Sequence, residues 1–271
     1  LNDLTSTDKG GHMSGIRLVT RADDAGLLPV ANHAIRDTAT EGIVRNISLM
    51  APAPAIRNAF EVLGDLGDRV DFGLHVTLTA EWQTPRWRPL VDRDVAAGFV
   101  RPDGTMHHTV DDLAAADPDL DAVMREVEAQ YELLLNLGFT LTYLDEHMRT
   151  GAVPGLAERL GDFARNHGLV SDRALQEDGI IAPLPGWQGP GEHPGTELAD
   201  HLSQVEPGTY LLVGHPATKA EEMQQVHRSG AATGEVALER NRQRRMFMDI
   251  EIVDYCENVE IDLVRYTDLK G

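Results

Sequence analysis

The sequence predicts an α/β protein: a parallel sheet curled into a single (β/α) barrel-like domain, closed or else incomplete and distorted, with long loops at the C-terminal rim of its strands. Three observations predict it. Strand-like apolar runs alternate with segments of helical period, the pattern of a parallel sheet with crossover helices. Charged clusters follow several of these runs at the C-terminal ends, where barrel active sites form. Finally, 271 residues with 42% hydrophobic content supply enough chain and enough apolar side chains for one such domain.

The elements follow in order. Residues 1–15 are polar, and Gly11-His12-Met13 looks like a cloning scar before a native start near Met13. This stretch is read as a tag or a disordered N-terminus, and residues 16–271 as the domain. Strand-like runs are predicted at Ile16–Thr20, Ile43–Leu49, Val70–Leu78, Thr140–Leu144, Tyr210–Val213 and Glu260–Leu263. Helical periodicity marks Val30–Thr40, Ala55–Leu66, Leu120–Leu137, Leu156–Asn166 and Ala237–Cys256. Leu120, Val123, Val127, Tyr131 and Leu134 make the clearest apolar stripe. Two stretches break the alternation. Residues 79–119, with Trp82 and Trp87, and residues 178–208, with Trp187, read as long irregular excursions, which in compact domains are functional loops or disordered; the tryptophans favour order.

Composition narrows the function. A formal charge of −20 argues against nucleic acid or an anionic membrane as partner, because both need a basic face. No run approaches the roughly 20 apolar residues of a membrane span. The single cysteine, Cys256, excludes an internal disulfide and reads as a small buried apolar residue. A cytoplasmic location is therefore expected, and a homodimer is left open.

Four strand ends carry the chemistry. The first run stops at Asp23-Asp24, two adjacent carboxylates that repel each other and are costly to bury. A divalent cation resolves this, with one carboxylate as ligand and the other held nearby as a base. The others are Phe72-Gly73-Leu74-His75, Leu144-Asp145-Glu146-His147 and Leu212-Val213-Gly214-His215-Pro216. In a parallel fold these ends converge on one rim. One carboxylate and two imidazoles make a three-ligand divalent site with positions left for water and substrate. Gly73 within its run permits a close approach by backbone or ligand.

These segments resemble, in order, the signature segments of the YdjC-like carbohydrate deacetylases, the ChbG/HpnK family: Ala22-Asp23-Asp24-Ala25-Gly26-Leu27, Gly73-Leu74-His75-Val76-Thr77-Leu78-Thr79, Leu144-Asp145-Glu146-His147 and Gly214-His215-Pro216. Gly42–Met50 is similar to a further family segment, and the resemblance covers about residues 16–266. It implies a barrel-like fold that removes the N-acetyl group of an amino sugar or short oligosaccharide with one divalent metal ion, Mg2+ or Zn2+. It further implies that Asp24, His75 and His147 hold the metal, that Asp23 is the general base, and that His215 protonates the leaving amine or steadies the oxyanion.

The chain departs from the family twice. Arg149 and Gly151 stand where the family commonly has later histidines, and Arg242-Gln243-Arg244-Arg245 keeps one arginine of an Arg-x-x-Glu pattern without the glutamate. Both changes bear on substrate identity more than on reaction type. Among the remaining polar groups, Asp145 is expected to orient His147 or His215. Glu81 and Arg149 are candidates for polar contacts to substrate. Trp82, Trp87 and Trp187 either stack on a sugar ring or anchor their loops, and the Arg240–Arg245 cluster, Arg242 included, reads as a solvated helix face or a substrate clamp. Two other readings stay open: a metal-dependent hydrolase of a non-sugar amide or ester, and a non-catalytic sugar-binding barrel.

Overall fold

A computed structural model describes residues 15–228 and 230–269; the proposed tag or disordered segment therefore lies almost wholly outside the described residues. Eight parallel strands form one sheet: β1 (Ile16–Ala25), β2 (Asn46–Leu49), β3 (Asp71–Val76), β4 (Leu141–Glu146), β5 (Val170–Ser171), β6 (Ala182–Pro183), β7 (Gly208–Gly214) and β8 (Asp262–Val264). The order is β5-β4-β3-β2-β1-β7-β6, and β8 pairs with the first half of β1. Among the described residues no ladder joins β5 to β6. The sheet nevertheless curls. Val19 of β1, Tyr143 of β4, Val170 of β5, Leu211 of β7 and Val264 of β8 all pack in one inner cluster with Tyr266 and Ile181, which a flat sheet would hold far apart. The result is an open half-barrel.

Helices cover the outside: α1 (Pro29–Thr40), α2 (Ile56–Leu63), α3 (Arg93–Ala96), α4 (Val110–Ala115), α5 (Leu120–Leu137), α6 (Leu156–Asn166), α7 (Asp172–Glu177), α8 (Pro194–Leu202), α9 (Glu221–Gln224), α10 (Glu235–Met248) and α11 (Ile250–Asn258). Their apolar faces and the outer side of the sheet make the main core, in which Ile35, Ala59, Leu63, Val127, Leu134 and Leu160 are buried. Helix α5 is well specified locally. The Asp119 side chain accepts from the Asp121 N–H at its N-terminus, and Gly138 closes it in the left-handed region at φ 108°.

Three expectations are corrected. The helix expected over Ala237–Cys256 is two, because the backbone at Asp249 turns extended (φ −59°, ψ 140°) between α10 and α11. The excursion at 178–208 contains α8, started by Pro194 at its first turn. The close approach that Gly73 permits is to a side chain: a Cβ there would lie 2.2 Å from the Tyr143 ring, which fills the barrel interior and stacks on Tyr266. No helix among the described residues is long and apolar enough to cross a membrane.

Candidate metal centre

Strand register brings the polar strand ends together. In β1 the pairing with β2 advances three residues, Ala22 to Ala25, while β2 advances two, Ile47 to Leu49. This bulge holds Asp24 at φ 64°, a left-handed conformation that a non-glycine residue adopts at a cost of order 1 kcal/mol. Neighbours on a regular strand face opposite sides. Here Asp23 and Asp24 line the same cavity of about 260 Å³, together with His75, Glu81, His147, His215, Arg240 and Gln243. Ala22 pairs with Gly214 on β7, so Asp23 and His215 follow paired residues on neighbouring strands. On the other side His75 of β3 pairs with Asp145 of β4, and His147 begins just past β4.

At the centre of the cavity three ligand atoms face one another. His75 Nε2 and His147 Nδ1 are 3.2 Å apart. Asp24 Oδ1 lies 3.6 Å from the first and 3.4 Å from the second. The other nitrogen of each ring is occupied. His75 Nδ1 is 2.7 Å from Asp145 Oδ2, and His147 Nε2 is 2.9 Å from Glu81 Oε2, each ring donating to its carboxylate. Both free lone pairs therefore converge, and Asp24 Oδ1 is buried with no hydrogen-bond donor. Ligand atoms about 2.1 Å from a tetrahedral cation lie roughly 3.4 Å apart. The triangle matches that spacing, so these residues fit a divalent ion. Carboxylates behind ligating imidazoles are the usual supporting arrangement.

The electrostatics agree with a positive charge at this point. Burial would lower the pKa of His75, but Asp145 and Asp23 hold it well above the usual imidazole value. Burial opposes the same shift at His147, where Glu81 and Asp24 prevail and raise it to about 9. Asp24 goes the other way: burial would raise it, and Arg240, His147 and His75 hold it well below the carboxylate range. A divalent ion meets this demand and displaces protons as it binds.

Two residues outside the expected set act on the centre. Arg240 of α10 is 4% exposed, donates from Nη2 to Asp24 Oδ2 at 2.5 Å, and lies 5.3 Å over the Trp82 ring. The Gln243 side-chain oxygen, one turn on, accepts from the His215 backbone N–H at 2.6 Å and from His215 Nδ1 at 3.0 Å. That fixes the ring with Nδ1 protonated and Nε2 as the free nitrogen. Arg240 and Gln243, rather than Arg242, are the members of this cluster that reach the site. Arg242 lines neither this cavity nor the neighbouring cleft. The signal was the i, i+3 spacing of Arg240 and Gln243, which shares one helix face.

The remaining expected residues divide. Asp145 supports His75 rather than His147 or His215, and Glu81, which lines the cavity, has one oxygen on His147 Nε2. Trp87 does not line the cavity: it is buried behind it, its ring edge-on to His147 with centroids 6.4 Å apart, and it donates to the Thr79 carbonyl at 3.0 Å, which anchors its loop. Trp82 forms a wall of the 260 Å³ cavity, stacked against Arg240 and Arg228. Trp187 and Arg149 line a second, larger cleft of about 710 Å³, which shares Asp23, Glu146 and Met148 with the first. Between them Met148 and Arg149 are both left-handed, at φ 53° and 59°. Their turn is held by Glu146, which pairs with Arg173 (2.6 and 2.7 Å) and accepts from the Gly151 N–H at 2.8 Å. A Cβ at Gly151 would come within 2.7 Å of that ion pair, so a side chain there would have to displace Glu146 or Arg173.

Comparison with known proteins places this geometry. A carbohydrate deacetylase of Thermoanaerobacter pseudethanolicus is 24% identical over 265 residues, 93% of this chain and 99% of its own length. One from Listeria monocytogenes is 31% identical over 162 residues, 58% of this chain and 63% of its own length. The crystal structure of an Enterococcus faecalis protein, described as a candidate cellobiose-phosphate cleavage protein, superposes with a TM-score of 0.73 at 20% identity. It covers 93% of this chain and 98% of the other, and so shows a shared fold. The profile of YdjC-like proteins matches residues 17–258, nearly the whole of the described chain, and the chain belongs to the YdjC-like family.

Proposed function

We propose that the protein is a metal-dependent hydrolase that removes the acetyl group from an N-acetylated amino sugar or short oligosaccharide. One observation carries the reading: the convergence of Asp24 Oδ1, His75 Nε2 and His147 Nδ1 beside a second carboxylate, Asp23, and a third imidazole, His215. The relatives named carbohydrate deacetylases support an acetyl group on a carbohydrate as the target.

An amide resists hydrolysis, so the reaction needs a polarised carbonyl, an activated water and a proton for the leaving nitrogen. A divalent ion held by Asp24, His75 and His147 supplies polarisation and lowers the pKa of water. Asp23 takes the proton from water. Its two oxygens accept from Arg21 at 2.7 and 3.0 Å, and each keeps a second lone pair for that task. General-base help of this kind is worth about 10²- to 10⁴-fold. His215 turns Nε2 to the cavity, since Nδ1–H is committed to Gln243. Protonated at Nε2, it delivers that proton to the departing nitrogen, and a free amine and acetate result. Asp145 and Glu81 keep the two ligating rings in the one tautomer that leaves their cavity-facing nitrogens unprotonated. The 710 Å³ cleft has room for the rest of the substrate, with the Trp187 face on one side.

The test is release of acetate, with matching formation of free amine, from a panel of N-acetyl sugars, before and after chelation and with Mg2+ or Zn2+ restored. Activity on at least one sugar, lost on chelation and recovered with metal, is expected. Acetate from none of the panel, with metal bound, would contradict the sugar reading.

A further inference from the structure

Arg21 lies in β1, just past the strand run expected at Ile16–Thr20, and is not among the expected site residues. It is 6% exposed and sits among three carboxylates. Its Nε and Nη2 donate to the two oxygens of Asp23, at 2.7 and 3.0 Å, a fork-to-fork pair that fixes the carboxylate plane. The same Nη2 lies 3.3 Å from Asp145 Oδ2, the oxygen that receives His75 Nδ1–H. Nη1 donates to Tyr266 Oη at 2.9 Å and lies 3.2 Å from Asp172 Oδ1. Tyr266 in turn donates to Asp172 at 2.5 Å. One guanidinium thus joins the carboxylate beside the metal cavity to the carboxylate that orients a metal-binding imidazole.

This matters because Asp23 lies within the bulge, between Ala22 and Ala25. Asp24 is held by Arg240 and by the ligand triangle, but Asp23 has no other hydrogen-bonding side chain among the described residues. Without Arg21, the guanidinium between Asp23, Asp145 and Asp172 is lost; Asp145 keeps His75 and Asp172 keeps Tyr266, but the like charges repel. Asp23 would then rotate away or draw a proton. Lysine could supply the charge but not the planar fork.

We propose that Arg21 is a positioning residue for the hydrolytic reaction: a fixed cation that aims Asp23 at the reacting water and ties it to the Asp145–His75 pair. The inference rests on the hydrolytic reading of the same centre. Arg21 also lines the 710 Å³ cleft, so truncating it opens a cation-shaped hole reachable from solvent.

The experiment is chemical rescue. In Arg21→Ala, kcat falls about 100-fold, the loss typical of a misplaced catalytic group. KM stays within about threefold and the bound metal stays at the wild-type amount, since Asp24, His75 and His147 keep their own partners, Arg240, Asp145 and Glu81. Millimolar guanidinium enters the hole and recovers at least about tenfold of the lost kcat in a saturable way. Urea, which is neutral, does not. Guanidinium at the same concentrations also raises the melting temperature of Arg21→Ala and not that of the wild type, because it binds only the variant's folded state. Wild-type turnover in Arg21→Ala, or guanidinium with neither effect, overturns the proposal. Should Arg21→Ala fail to fold, Arg21→Lys gives the same split of lowered kcat and unchanged KM; unaltered kcat there overturns it equally. If the wild type releases no acetate from any sugar, the deacetylase reading falls, and the melting measurement alone then decides whether Arg21 is the fixed cation of the three carboxylates.

Discussion

Asp23 and Asp24 adjoin within one bulge but are held by different arginines, Arg21 and Arg240. That division gives each carboxylate a separate task in the proposed reaction. Asp23→Asn keeps the shape and the pairing oxygen but loses the basic site. Turnover should fall by about 10²-fold or more, while metal content measured by elemental analysis stays at the wild-type value. Loss of the metal in this variant would make Asp23 a ligand and exchange the two roles. Sequence could supply Asp23, Asp24, His75, His147 and His215, because each ends an apolar run in a parallel fold. It could not supply Arg240 or Gln243, whose reach to the site depends on how α10 lies against β7. Nor could it say which imidazole Asp145 serves, since that follows from the His75–Asp145 register of two strands.

At the scale of the element, β3 and β4 show how packing behind the site fixes its front. Gly73 leaves the space that the Tyr143 ring occupies, and Tyr143 shares a hydrogen bond of 2.8 Å with Ser48 on β2. Gly73→Ala pushes a methyl group into that ring, and overpacking of this kind in a rigid interior costs about 1–3 kcal/mol. Urea denaturation should show a loss of that size, and adding Tyr143→Leu should return part of it; full additivity of the two changes would contradict the contact. The long helices at Leu120–Leu137 and Leu156–Asn166 were legible from their apolar period. The two-residue strands β5 and β6 were not, because so short a run carries no periodicity. The break between α10 and α11 was hidden for a different reason: Asp249 is neither glycine nor proline, and only its backbone turn ends the helix.

Across the molecule, the rim that carries the site is tied to the helical layer by a buried polar pair on α5. Glu126 accepts from the Leu90 and Val91 N–H groups at 2.8 and 3.0 Å, and from Gln130 at 2.8 Å. Gln130 in turn brackets Thr77 at the end of β3. Burial raises the Glu126 pKa to about 7 despite those donors. Between about pH 4.5 and 7 the folded chain therefore holds a proton that the unfolded chain has released. Its contribution to stability is present at the acid end and is lost as pH rises through 7, by on the order of 2–3 kcal/mol. The stability difference between wild type and Glu126→Gln, followed by denaturant titration from pH 5 to pH 8, should move against the wild type by that order; a flat difference would mean that Glu126 is ionised throughout. The half-barrel was foreseen as an incomplete or distorted barrel. What the sequence could not place is the opening between β5 and β6, because strand pairing across a gap leaves no local pattern. All of these layers serve one geometric claim, that three side chains remote in sequence surround a single cation. Anomalous scattering from crystals grown with Zn2+ or Mn2+ tests it directly. The account predicts one strong peak about 2.0–2.2 Å from Asp24 Oδ1, His75 Nε2 and His147 Nδ1. No peak among those three atoms, or a peak held by other residues, would contradict it.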